Sequence, residues 1–168
     1  MAGQIVFYGE FLIFKGHNTR TNVIFHVSNM RIRLEFPETV LFSFPIKARI
    51  SDMNYAQHVA NDRFLVFAQE ARSAWFAHLG YQDVDIEGCT AILADAAVQF
   101  MAEAFGGDDL VVEVGLGGWH KYGLDILYRV RRDDDVVALM KTATLLRDNQ
   151  SQKLIAPPEK LLQKVKSA

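Results

Sequence analysis

The chain has 168 residues, half of them hydrophobic, with 18 basic against 20 acidic residues and a net charge of −2. That length points to one domain with enough apolar material for a sizeable core, and the lack of a basic excess argues against nucleic acid or an anionic membrane surface as partner. A single cysteine, Cys89, excludes an internal disulfide and fits a reducing, cytoplasmic location.

In chain order, the first apolar run is IVFYGEFLIF, broken by Gly9 and Glu10. It lacks a basic leader and is too short to span a bilayer, so no membrane partner is expected. Residues 1–29 show no clear pairing pattern, whereas a regular pattern begins after Met30, in MRIRLEFPETV. Residues 1–29 are therefore expected to be an N-terminal extension or a product of start-site choice, and residues 30–168 a single domain.

Residues 41–50 alternate loosely and contain β-formers, which predicts a strand. Over residues 61–79, the apolar side chains Phe64, Phe67, Ala68, Ala71, Trp75, Phe76 and Leu79 fall mostly on one stripe at about 100° per residue, which predicts an amphipathic helix. Gly80 suits the residue just past its end. Four strand-like segments follow, at 90–101, 109–119, 122–132 and 135–147. The breaks AFGGDD, GGWHKYG and RRDDD are turn-like. The last two are short, which predicts an antiparallel meander. PPEKLLQKV reads as a short closing helix with Pro in its first turn. One buried helix against one antiparallel sheet is an α+β arrangement, with the sheet expected to curl around the helix.

Between the first strand and the long helix stands the polar stretch SDMNYAQHVAND, residues 51–62. Extended to Arg72, it resembles the D-x-D-x-x-x-H-V-N-N…Y…E-A-R signature of 4-hydroxybenzoyl-CoA thioesterase-like hotdog proteins. The matching residues are Asp52, His58, Val59, Asn61, Glu70, Ala71 and Arg72. LGY at 79–81 and AEAFGGDDLVVEV at 102–114 are also similar to that family. The resemblance covers about residues 40–147. It implies a hotdog fold, in which a curved antiparallel sheet wraps one long helix. It implies homodimers, often paired into homotetramers, with sites at the dimer interface. It further implies hydrolysis of acyl-CoA or acyl-carrier-protein thioesters without a metal or other cofactor. One departure stands out. Many members carry a catalytic Asp two residues after the first; here that position is Asn54, which is neither a base nor a carboxylate nucleophile.

Each candidate has two readings. His58 suits a general base near neutral pH, or bonds the loop's own backbone. Asn54 orients the substrate carbonyl or a water, or forms an Asx-turn. Asn61 and Asp62 stand where the helix begins, and either is a good N-cap. The amides around Val59 and Ala60 are candidate donors to a thioester oxyanion at that positive helix end. Glu70 lies about 120° off the apolar stripe; it replaces the missing acid by polarising water, or pairs with Arg72 or a partner residue. Asp95, in the apolar stretch ILADAAVQF, is a second acid of the site or a hydrogen-bond hub, because a buried carboxylate needs partners. Asp52 is expected to orient the loop. Phe64, Phe67 and Trp75 are the expected lining of an acyl tunnel between helix and sheet. Cys89 reads as a structural thiol. His78 and His120 make no metal set with His58 by spacing. Lys121 and Arg129 meet CoA phosphates or are solvated strand-end charges.

Two other activities compete. Hotdog enoyl-CoA hydratases carry D-x-N-P-x-H; here His58 falls one residue later and Tyr55 replaces the Pro. A non-catalytic acyl-thioester binding protein accounts directly for Asn54.

Overall fold

In the computed structural model the described residues are strand residues 4–8, 11–15 and 23–26, together with residues 32–167. The chain divides into two compact units, Met1–Arg33 and Leu34–Ala168. In the first, β1 (Gln4–Tyr8), β2 (Phe11–Lys15) and β3 (Val23–His26) form an antiparallel sheet in that order. Val6 stands opposite Ile13, and Leu12 opposite Phe25. A pairing pattern therefore exists where the sequence offered none, because uninterrupted apolar runs such as FLIF carry no period to read. The rest of residues 1–29 lies outside the described residues.

The second unit contains β4 (Phe42–Lys47), α1 (Asn61–His78), β5 (Cys89–Phe100), β6 (Asp109–His120), β7 (Gly123–Arg132), β8 (Asp135–Asp148) and α2 (Glu159–Ser167). Its five strands are antiparallel in the order β4-β6-β7-β8-β5. β4 ends earlier than the predicted strand over 41–50, because the chain turns into a 3-10 turn at Ile50–Asp52. Pro45 lies within β4, where its missing N–H is tolerated on an edge strand. The expected meander holds for β6, β7 and β8: Val114 faces Tyr128, and Tyr128 faces Met140. β5 instead pairs with β8 at the far edge, with Phe100 opposite Ala138. The connection over residues 101–108 thus returns from that edge to β6, beside β4.

The helix period explains what α1 buries. Phe64, Phe67, Ala68, Ala71, Trp75 and Phe76 are all buried, in one core with Val112, Val114, Ile126, Tyr128 and Met140 of the sheet. Fully burying a large apolar side chain stabilises by about 1.5–3 kcal/mol, so Phe64, Phe67, Trp75 and Phe76 hold α1 firmly on the sheet. Gly80 takes φ +81 just past α1, a left-handed position that glycine adopts without strain. The Lys164 ammonium of α2 donates to the Leu79 carbonyl at 2.6 Å, satisfying an end carbonyl of α1. α2 closes the core with Leu161 and Val165. One long helix held on a five-stranded antiparallel sheet is the hotdog fold.

Candidate active site

The loop from Arg49 to Ala60 is tied at both ends by Asp52. The buried Asp52 carboxylate accepts the Arg49 N–H at 2.8 Å, and the Asp52 carbonyl accepts the Ala60 N–H at 2.8 Å. Within the loop, Asn54 N–H donates to the His58 carbonyl at 3.0 Å, and Gln57 N–H donates to the Asn54 carbonyl at 3.0 Å. That closure puts Gln57 at φ 63, a conformation that L side chains rarely take. Asn54 Oδ1 accepts the Ala56 N–H at 2.9 Å, which is the Asx-turn. Its Nδ2 then lies 3.3 Å from His58 Nδ1. The Asx-turn reading of Asn54 holds, and the turn aims the amide at the imidazole. Both side chains are half-buried.

The helix start differs from expectation. Neither Asn61 nor Asp62 is the N-cap; Ala60 is, with extended backbone and no side-chain cap. Two tertiary hydrogen bonds fix that conformation instead. Ala60 N–H goes to Asp52, and Val59 N–H goes to the Ala104 carbonyl at 2.7 Å. The Val59 and Ala60 amides are therefore committed and do not serve as oxyanion donors, and the Val59 side chain is itself buried. Arg63 N–H closes onto the Ala60 carbonyl. The N–H groups of Asn61 and Asp62, in the first turn, meet no backbone carbonyl among the described residues. They carry the positive end of the helix dipole, three and four residues along the chain from His58.

Two cavities adjoin this loop. One of about 600 Å³ is lined by Ala48, Arg49, Ile50, Glu70, Gly106 and Gly107, among others. The other, of about 430 Å³, is lined by Ile50, Met53, Gln57, Phe105 and Gly106. They share Ile50 and Gly106. Glu70 stands nine residues along α1 from Asn61, about 13 Å at the helical rise. Glu70 and the Asn54–His58 pair thus belong to different parts of this surface. The expected pairing of Glu70 with Arg72 does not form; Arg72 Nε bonds Asp83 at 3.0 Å, and Ser73 donates to the same carboxylate.

The far wall is the β5–β6 connection, which the sequence showed only as a break. Asp108 organises it. Its Oδ2 accepts the Phe105 N–H and an Arg132 N–H, each at 2.9 Å. Burial alone would raise the Asp108 pKa, but those two donors and the Arg132 charge hold it below the ordinary carboxylate range. The Gly-Gly-Asp run was the available signal, since such a turn needs freedom at Gly107 (φ +95) and a carboxylate to close it.

The remaining candidates lie elsewhere. Asp95 is not a buried acid. It sits at a bulge on the edge strand β5, exposed, and accepts from Lys141 Nζ at 2.9 Å; Lys141 also bonds Asp125. Phe64, Phe67 and Trp75 are fully packed and line neither cavity, so no tunnel opens at them. Phe64 packs edge-on against both Phe67 and Phe100. His78 packs at a tilt against the Phe42 ring and His120 approaches Asp125, both apart from His58. Arg129 is not a solvated strand-end charge; it pairs with Glu113 and lies over the Phe36 ring at 4.5 Å. Lys121 lies over the Tyr122 ring. Burial pushes the Cys89 thiol pKa up, as expected for a structural cysteine. No helix among the described residues is long and apolar enough to cross a membrane.

Solved structures share this architecture. A 1,4-dihydroxy-2-naphthoyl-CoA thioesterase from Synechocystis matches with TM-score 0.66 and 18% identity, over 74% of this chain and 94% of that one. A DHNA-CoA thioesterase from Staphylococcus aureus matches with TM-score 0.65 and 15% identity, over 74% and 87%. A hypothetical protein from Aquifex aeolicus matches with TM-score 0.68 and 18% identity, over 74% and 98%. No curated protein matches the sequence. The profile of the thioesterase-like superfamily matches residues 48–165, from the end of β4 into α2. The chain therefore belongs to the thioesterase-like superfamily.

Proposed function

We propose that the protein hydrolyses acyl thioesters carried on coenzyme A or on an acyl-carrier protein, in the cytoplasm. The observation that carries this reading is the Asn54–His58 pair held beside the open N–H groups at the start of α1. A thioester oxygen placed there meets a positive dipole end, two backbone donors and an imidazole. Stabilising the oxyanion is the largest electrostatic need of acyl transfer. Water adds to the carbonyl carbon and loses its proton to solvent; the oxyanion then collapses to the acid as the C–S bond breaks, and the departing sulfur takes up a proton from solvent. The ligand's arm lies in the groove past Ile50 and Gly106. Ile50, Met53 and Phe105 supply apolar contact there.

A second reading puts the chemistry at Glu70, because this carboxylate lines the larger cavity. Glu70 then takes the proton of the attacking water. One carbon cannot use both sites in one chain, given the separation along α1.

Among the described residues, no strand pairs with the outer edge of β5. Leu93 and Phe100 are half exposed there, and Leu93 shares a groove with Leu65 and Val66 of α1. A long apolar edge strand is a template for another chain. We propose a homodimer built on this edge, with a homotetramer as pairs of dimers. Replacing Leu93 by Lys is expected to give monomers in light scattering.

A panel of acyl-CoA and acyl-carrier-protein thioesters, with detection of free thiol, tests the activity. Tight binding without thiol release on any substrate would support a binding protein instead. Loss of enoyl-CoA absorbance without thiol release would identify a hydratase.

A further inference from the structure

We infer that Asn54 is a positioning residue that fixes His58 as the tautomer protonated at Nε2, so that His58 acts as a hydrogen-bond donor and not as a base.

Three contacts fix the tautomer. An Asn side chain offers one acceptor oxygen and one donor NH₂. Which end points where is ambiguous for an isolated amide. Here it is not, because the Asn54 oxygen accepts the Ala56 N–H at 2.9 Å. The NH₂ end is therefore the one lying 3.3 Å from His58 Nδ1. An NH₂ can only donate, so Nδ1 must accept. A neutral imidazole has one protonated nitrogen, and it is then Nε2. The turn itself is held at both ends, by Asn54 N–H on the His58 carbonyl and by Gln57 N–H on the Asn54 carbonyl. The amide cannot rotate without breaking the Ala56 contact.

The consequence concerns the polarity of the whole site. The ring contact of His58 is made through Nδ1, and on a half-buried side chain the Nε2 hydrogen is left for a ligand. Nε2–H thus joins the N–H groups of Asn61 and Asp62 as donors without a protein acceptor among the described residues. Such donors bind and polarise an oxygen carrying negative charge, and His58, with Nδ1 engaged by Asn54 and Nε2 protonated, does not take a proton from water. That this oxygen belongs to a thioester rests on the reading above; the tautomer does not. An Asp at position 54 reverses the arrangement. One carboxylate oxygen keeps the Ala56 contact, and the other accepts from Nδ1–H, leaving Nε2 as a free acceptor.

The test is a long-range ¹H–¹⁵N spectrum of the full chain labelled at histidine, in mildly alkaline buffer, with His58 assigned by its loss in His58→Gln. The expected result is a protonated Nε2 and an unprotonated Nδ1 in the native chain, switching to a protonated Nδ1 in Asn54→Asp. A protonated Nδ1, or an even tautomer mixture, in the native chain would overturn the inference. Thioester hydrolysis is measured on the same samples. An Nε2–H tautomer with no thioester binding would leave the inference standing and reject the thioester reading alone.

Discussion

Val59 N–H donates to the Ala104 carbonyl across 2.7 Å, tying the start of α1 to the connection between β5 and β6. That connection, through Phe105 and Gly106, walls the groove whose other side is Ile50, Met53 and Gln57 of the Asn54–His58 loop. Groove geometry therefore depends on what holds the connection, which is Asp108. Its carboxyl pKa is lowered in the fold, so its contribution is present above the unfolded value, near 3.9, and is lost as pH falls through the folded one. Asp108→Asn is expected to cost roughly 1 kcal/mol at neutral pH, a modest figure because the Arg132 pair is partly solvated. Denaturant unfolding from neutral to acid pH checks this. The gap between variant and native chain should shrink below about pH 4; a gap independent of pH would contradict the assignment.

Gln57 takes a left-handed conformation in the tightest part of the loop. A non-glycine residue there costs on the order of 1 kcal/mol. Gln57→Gly removes that strain, offset in part by the greater freedom of glycine in the unfolded chain. Stability is expected to be unchanged or to rise by up to about 1 kcal/mol. A thermal or denaturant midpoint clearly below that of the native chain would show that the Gln57 side chain contributes contacts that outweigh the strain.

Two phenols are set apart by the fold. Tyr81 is pushed up to about 12 by burial, then by its hydrogen bond to Glu87 and that residue's charge. Tyr128 is also pushed up to about 12 by burial, against the opposing effect of its contact with Thr142. Raised folded values mean that stability is intact below the unfolded value near 10 and declines as pH rises above it. Phenolate absorbance should show at least two of the five tyrosines ionising only as the chain unfolds in alkali. All five titrating together near pH 10 would contradict the burial described for these rings.

What the sequence revealed, and what it hid, follows from the range of the interactions. The 3.6-residue period placed the α1 stripe from Phe64 to Phe76, because that pattern is local. The short breaks placed the β6–β7–β8 meander for the same reason. The pairing of β5 with β8 was not legible, since alternation along ILADAAVQF does not say which strand lies beside it. Asp95 was misread with it: without the edge position, an acid in an apolar run looks buried. The helix cap failed similarly. Asn61 and Asp62 have good capping chemistry, but carbonyls of Asp52 and Ala104 had already fixed the backbone one residue earlier. At the site, the residues of the Asn54–His58 pair were visible as candidates, while the hydrogen-bond direction between them needed coordinates.

The loop at the start of α1 is proposed to polarise a thioester. The most direct measurement is thiol release from the best substrate of the panel by His58→Ala and Glu70→Gln, compared as kcat/KM with the native chain. Removing one donor to an oxyanion typically costs about 10²–10³-fold. We predict a loss of that order for His58→Ala, with Glu70→Gln within a few-fold of the native chain. A His58→Ala enzyme of native activity, with Glu70→Gln inactive, would contradict the account and move the chemistry to the Glu70 cavity.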